Sequence, residues 1–377
     1  MAIIINGKPL LKFKLRQNVD LLNPQNHDIL EVIMFLGGSP LRNIDEIIIN
    51  KVYISALDKE NNALLLSEAE LELNEETYEY FEKHILRCIR DDEAKPGRFE
   101  GEVNIVKELS KEIFEEEDSF IPNSKKLAQF LFKCMGNDDK EPSGDFAVCH
   151  CDSQQGLFLA LLKLNYSNSY THFVKQGDHS VIIDIGTNKT GLPGMGQKLS
   201  RAAFIKKPIS QQEEYDFLIY DKQQEGYFCQ AFIKISPVRD RRENTRIIQK
   251  TSENFARRAF KDNAQEAEGF RKKLTETLMQ EDRLNVETLT ENLIPSPERR
   301  AEYKAALVNE GISETDVSID REWAEKKLKR KRLKVDKSIE LYIDDEAYND
   351  KDKFQIKRNG DGTIDIILKN VKNYIER

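Results

Sequence analysis

The rhythm of apolar and polar positions changes several times along the chain. Ile47-Ile48-Ile49 followed by alternating Val52 and Ile54 predicts a strand, with Leu64-Leu65-Leu66 as its hairpin mate after Glu60-Asn61-Asn62. A helical period comes next. Asn74 is placed to cap a helix through Tyr78, Phe81, Ile85 and Ile89, ending near Lys95-Pro96-Gly97. Val106, Leu109, Ile113 and Phe114 mark a second helix, and Leu127, Phe130, Leu131 and Cys134 a third, starting after Pro122-Asn123-Ser124. From Asp145 the period becomes that of strands: Phe146 to Cys151, Gly156 to Leu164, Val181 to Ile185, Tyr215 to Tyr220 and Tyr227 to Ile235. The short connector 152–155 makes the first two an antiparallel hairpin, and Pro237 closes the sheet.

Helical patterns then run to about residue 330, interrupted at Pro295 and Pro297. Three strands end the chain, Ile339 to Ile343, Phe354 to Ile356 and Ile364 to Leu368, the last two flanking a hairpin turn at Asn359-Gly360-Asp361-Gly362. Strands clustered together, with helices before and after them, predict an α+β fold with a mixed or antiparallel sheet and not a doubly wound parallel one. The expected divisions are an N-terminal extension (1–43), an α+β domain (44–237), a helical basic segment (238–335) and a C-terminal β unit (336–377).

Composition narrows the class of function. Of 377 residues, 33% are charged and 39% apolar, and the richest apolar run, Leu157 to Leu162, is far short of the roughly 18 residues of a membrane span. The first residues lack the basic region of a secretory signal, and five cysteines are too few and too odd for a disulfide framework, so the expected compartment is the cytoplasm. The formal charge of −8 is unevenly spread. Residues 67–120 carry 18 acidic and 7 basic side chains, which leaves the remainder slightly cationic.

Sites for catalysis or metals are weakly encoded. The glycine-rich stretch from Gly186 to Lys198 satisfies neither frame of a phosphate loop, since Leu192 and Gln197 stand where lysine is required. It reads as a surface turn carrying Lys189 and Lys198. In Cys149-His150-Cys151, strand alternation puts the cysteines on one face and the imidazole on the other, which favours buried structural residues over zinc ligands. Glu302-Tyr303-Lys304 has the letters of a nuclease triplet but lies in a helical stretch. No catalytic residue, metal or cofactor is expected.

Basic segments carry the stronger signal. Arg239 to Lys261 holds eight cations against three acids; Arg241, Arg242, Arg246, Lys250, Arg257, Arg258 and Lys261 are its candidate phosphate contacts, with Ile247, Phe255 and Ala259 facing protein. Lys326 to Lys334 is basic at seven of nine positions, and Lys327, Lys329, Arg330, Lys331 and Arg332 complete the candidate set. Self-repulsion in such runs is relieved by solvent, by the acidic 67–120 region, or by a polyanion. The expected polyanion is DNA, with RNA as the alternative, bound through phosphates with weak sequence preference. Two other readings are an adaptor that docks a DNA-processing or defence partner through the acidic helices and, behind it, a metal-dependent nuclease.

The order of these features resembles a family. Ile47-Ile48-Ile49-Asn50-Lys51-Val52, Leu64 to Leu73, Phe81-Glu82-Lys83-His84-Ile85 and Asp91-Asp92-Glu93-Ala94-Lys95 are similar to the amino-terminal part of the 37-kDa nucleoid-associated bacterial proteins. Phe146 to Leu164, Leu333-Lys334-Val335-Asp336, Ile339 to Ile343 and Asp361 to Ile366 follow in the same order, so the likeness runs from Ile44 to Arg377. It implies a cytoplasmic, nucleoid-associated protein that binds DNA with little sequence preference. It carries no residue-level site, so the cationic candidates, and a homodimer presenting two such surfaces, rest on the residues themselves.

Overall fold

The computed structural model describes residues 4–5, 8–9, 39–101, 103–136, 141–177, 180–208, 216–222, 226–261, 263–312, 316–335, 338–359 and 364–373. Met1–Gly37 forms a compact unit of its own, with the strands Ile4–Ile5 and Lys8–Pro9 paired antiparallel. Most of the expected extension, Tyr215 and the turn residues 360–363 lie outside the described residues.

Gly38–Arg377 is the second unit. Its first elements are β1 (Ile47–Asp58), β2 (Ala63–Leu66), α1 (Glu75–Arg90), β3 (Lys95–Phe99), α2 (Ile105–Glu115), α3 (Phe120–Met135), β4 (Gly144–Ser153) and β5 (Phe158–Asn165). A hairpin of β6 (Ser167–Gly177) and β7 (Ser180–Gly191) follows, then β8 (Arg201–Lys206), β9 (Phe217–Asp221) and β10 (Ile235–Pro237). Eight strands form one antiparallel sheet in the order β10-β3-β9-β8-β5-β4-β1-β2.

Alternation along the strands feeds two cores. One face, with Val52, Cys149, Cys151, Ala202 and Phe204, packs under Phe81, Ile85 and Ile89 of α1. The other, with Tyr53, Val148, Leu161 and Ala203, packs under α2 and α3 through Leu109, Ile113, Leu127 and Leu131. The two cysteines therefore share the α1 face, while the His150 ring lies toward Phe114 and Phe120 on the opposite one. Helix α1 starts where Asn74 and Thr77 satisfy each other's backbone amides in a reciprocal cap.

Several elements depart from the sequence expectation. Tyr227 to Ile235 is not a strand: Phe228–Ile233 is a π-helical turn, because Phe228, Cys229, Phe232 and Ile233 bury one side of a helical period. Lys234 at φ 53° ends it, and Asn104 ties its last carbonyls to the start of α2. Lys95-Pro96-Gly97 lies within strand β3, past the end of α1, and the third helix begins at Phe120, ahead of Pro122. Strand β7 runs on through Gly186 to Gly191, and β6 and β8 were not foreseen.

Beyond the sheet come α4 (Arg241–Ala259), α5 (Ala264–Gln280), α6 (Val286–Leu293), α7 (Pro297–Asn309) and α8 (Arg321–Leu328), with a third core through Phe255, Phe270, Leu278, Tyr303 and Trp323. Arg330–Val335 at the end of the expected helical segment is instead strand β11, paired with β12 (Ile339–Asp344). After α9 (Asp345–Asn349), β13 (Phe354–Arg358) and β14 (Ile364–Leu368) form the expected C-terminal hairpin.

Candidate nucleic-acid interface

Two sets of charges organise the α+β domain and its junction with the helices. The first is a row across the sheet: Lys163 of β5, Arg201 of β8 and Asp221 of β9 are register partners, so their side chains stand side by side on the α2–α3 face. All are buried, as is Glu141, which binds Arg201 Nη1; Arg201 Nε lies 3.4 Å from Asp221 Oδ1, and the guanidinium stacks 4.9 Å from the Tyr227 ring centroid. Desolvation acts to lower Arg201, but Glu141, Tyr227 and Asp221 outweigh it and keep the group charged. Burial pulls the Lys163 ammonium down to about 8. Two cations face two carboxylates, a closed structural network.

The second set is open to solvent. Asp92, in the turn after α1, accepts hydrogen bonds from Trp323 Nε1 at 2.9 Å and from Lys327 Nζ at 2.6 Å, which brings the end of α8 beside the end of α1. Desolvation works to raise the Asp92 carboxyl, but these two donors and the nearby Arg242 hold it below the usual carboxylate range. Beneath it the junction is fastened by buried charges, Arg42 on Asp240 at 2.9 Å and Asp320, which caps α8 and binds Arg242 at 3.0 Å.

Between α1, α8 and the turn after β7 opens a cleft of about 520 Å³ lined by Lys83, Leu86, Arg87, Arg90, Asp91, Asp92, Lys198 and Lys327. Among its lining residues five cations face two carboxylates; just outside it Glu79 pairs with Lys83 and Asp45 lies 3.8 Å from Arg90, so that of the five Arg87 alone makes no ion pair among the described residues. Lys83, Arg87 and Arg90 are spaced four and three residues apart, on the side of α1 away from its buried face. Arg87 and Arg90 lie in the last turn of α1, where the backbone dipole favours cations. Lys198 is bound by Asp91 at 2.6 Å, and that carboxylate holds it above the ordinary lysine value. Arg87 donates to the Gln197 carbonyl at 3.0 Å and has no carboxylate partner among the described residues.

The expected basic stripe on α4 is distributed differently. Arg242 is held by Asp320, Arg246 by Glu243 at 3.1 Å, Arg257 by Glu253 at 2.9 Å and Arg258 by Glu302 at 2.8 Å. Arg242 and Arg258 are sixteen residues apart, about 24 Å along the helix. Among the described residues Arg241 and Lys250 make no ion pair, and Lys250 and Lys261 are exposed. Ile247 and Ala259 lie against the helical core, where Ile248 and Phe255 are buried. Lys327 joins the cleft, while Lys329 lines a charge-balanced hollow with Lys326, Asp344 and Glu346. Arg330, Lys331 and Arg332 belong to β11, and their side chains lie outside the described residues. The Glu302-Tyr303-Lys304 triplet is dispersed as its helix requires: Tyr303 is buried on Ser252, Glu302 pairs with Arg258 and Lys304 with Glu287.

Sequence reasoning passed over Lys83, Arg87 and Arg90 because they sit inside the most acidic block of the chain. Their four-and-three spacing on a helix already assigned from its apolar face was the signal that could have found them.

No helix among the described residues is long and apolar enough to cross a membrane. No curated protein matches the chain. The profile of one family, described as nucleoid-associated protein YejK, matches residues 54–376. With most of its length so matched, the chain belongs to the nucleoid-associated protein YejK family.

Proposed function

We propose that this protein binds DNA in the nucleoid through phosphate contacts, without catalysis and with weak sequence preference, and that it acts as a homodimer in the cytoplasm. The carrying observation is the cleft in which Lys83, Arg87, Arg90, Lys198 and Lys327 converge from three parts of the chain, with more cations than carboxylates along its lining and the ion pairs they make open to solvent. Family membership supports the nucleoid setting. Arg241, Lys250, Lys261, Lys329, Arg330, Lys331 and Arg332 extend this phosphate-binding set. Arg242, Arg246, Arg257 and Arg258, like Lys83, Arg90, Lys198 and Lys327, engage phosphate by exchanging their carboxylate partners.

Lysine and arginine on phosphate release condensed counterions, which makes such binding steeply salt dependent. For six to ten contacts, affinity is expected to fall by about 10³ to 10⁵ between 50 and 200 mM salt. An electrophoretic shift titrated over that range on duplexes of unrelated sequence, with and without Mg²⁺, tests the proposal. Similar affinities, a steep salt slope and intact DNA are expected. A flat salt response removes phosphate binding, and Mg²⁺-dependent cleavage removes the non-catalytic role.

A further inference from the structure

We propose that the β6–β7 hairpin is an arm whose apolar face packs against the same face of a second copy of this chain. It gives the homodimer its surface and so rests on that part of the reading above, but not on DNA binding. The hairpin pairs with no other described strand, and at eleven residues its first strand is about 37 Å long. A lone two-stranded ribbon is at best marginally stable in water.

The register sorts its side chains onto two unlike faces. Tyr170 opposes Thr187, His172 opposes Ile185, Val174 opposes Ile183 and Gln176 opposes Val181, so these eight share one face. Tyr170, Val174, Val181, Ile183 and Ile185 on it are each between 55% and 78% exposed. The other face is more polar: Lys175 binds Asp184 at 2.7 Å, the Phe173 ring lies directly over Gly186, where any Cβ would meet it, and Phe173 and Ile182 are its exposed apolar side chains, at 52% and 57%. Five exposed apolar side chains against two, with the formal charges confined to the second face, make the first the one that awaits a layer.

Area and charge both select a second copy. The five exposed side chains present roughly 600 Å² of apolar surface per chain, while a standard interface of about 800 Å² per partner, some 60% apolar, needs roughly 500 Å². Between Tyr170 and Gln176, and between Val181 and Thr187, that face carries no formal charge, so two molecules of net charge −8 meet there without like-charge contact. The apolar rows run along the ribbon, which makes the face self-complementary under a twofold axis, as an isologous interface requires.

The test is the mass of the full-length chain in solution, by light scattering after size exclusion at about 1 to 50 µM, with far-UV circular dichroism as the folding control. Twice the chain mass is expected for the unaltered protein and for Thr171→Lys on the opposite, charged face. Ile183→Asp with Ile185→Asp, or the milder Ile183→Ser with Ile185→Ser, is expected to give folded monomers. A monomeric unaltered protein overturns both the homodimer and this inference. A dimer that survives both double substitutions overturns the arm alone, leaving dimerisation to another surface.

Discussion

The buried row at Lys163, Arg201, Glu141 and Asp221 and the open cleft at Lys83, Arg87, Arg90, Lys198 and Lys327 are made of the same residue types, yet they do opposite work. In the row the charges are enclosed, Arg201 is paired with Glu141 and Asp221 and Lys163 is held by Asn165 Oδ1 at 3.0 Å, so removing Arg201 leaves two carboxylates stranded without water. In the cleft four of the five cations hold a carboxylate, but those pairs are wet, so each contributes little to folding and is readily exchanged for an anion, and Arg87 holds none. Balance under burial marks scaffold, and excess under exposure marks a binding surface.

The largest expected effect falls on the row. Arg201→Ala should cost about 3–5 kcal/mol of stability, measured by urea unfolding, because Glu141 and Asp221 stay buried and unpaired. A loss below about 1 kcal/mol would mean the row is hydrated and no different from the cleft. Next in size, the triple substitution of Arg87, Lys198 and Lys327 to Ala should flatten the logarithmic salt slope of DNA binding by about 0.9 for each phosphate no longer neutralised. Its exposed ion pairs are worth at most about 1 kcal/mol each to folding. Asp91→Asn sharpens the contrast in the other direction: it frees Lys198, and DNA affinity should rise, by less than about tenfold, when read in the same titration. The analogous neutralisation in the row, Asp221→Asn, should only destabilise.

The smallest effect is on pH. Burial depresses the imidazoles of His84 and His150 on the two faces of the sheet, with Lys51 adding to the shift at His150. The unfolded chain therefore binds more protons than the folded one, and stability should decline as pH falls below about 6.5, the ordinary imidazole value, toward the depressed ones. A urea midpoint unchanged between pH 7.5 and 5 would contradict this.

What was legible in the sequence was local. Helix α1 follows from Asn74 and the spacing of Tyr78, Phe81, Ile85 and Ile89, and the opposed faces of Cys149 and His150 follow from alternation alone. Strand β8 was invisible because its ends, Arg201 and Lys206, look like surface; they are buried by a partner sixty residues away, Glu141, and by neighbouring strands, which no local window contains. Tyr227 to Ile235 failed because a short apolar run fits a strand and a buried helical turn equally well. For the cleft, summing charge over 67–120 averaged the two halves of α1, whose acids Glu75, Glu76, Glu79 and Glu82 fill the first half and whose cations Lys83, Arg87 and Arg90 fill the second. The α4 stripe was seen, but the carboxylates of Asp320 and Glu302 that answer it come from sequence far downstream.

One measurement tests the cleft most directly, the salt slope of duplex binding for the unaltered protein against the Arg87, Lys198 and Lys327 triple alanine variant, with equal unfolding midpoints as the control for folding. The cleft requires the variant's slope to be shallower by between two and three, with affinity reduced alike on every sequence. Superimposable slopes from equally folded proteins would show that phosphates are held elsewhere and that the cleft is not the DNA surface.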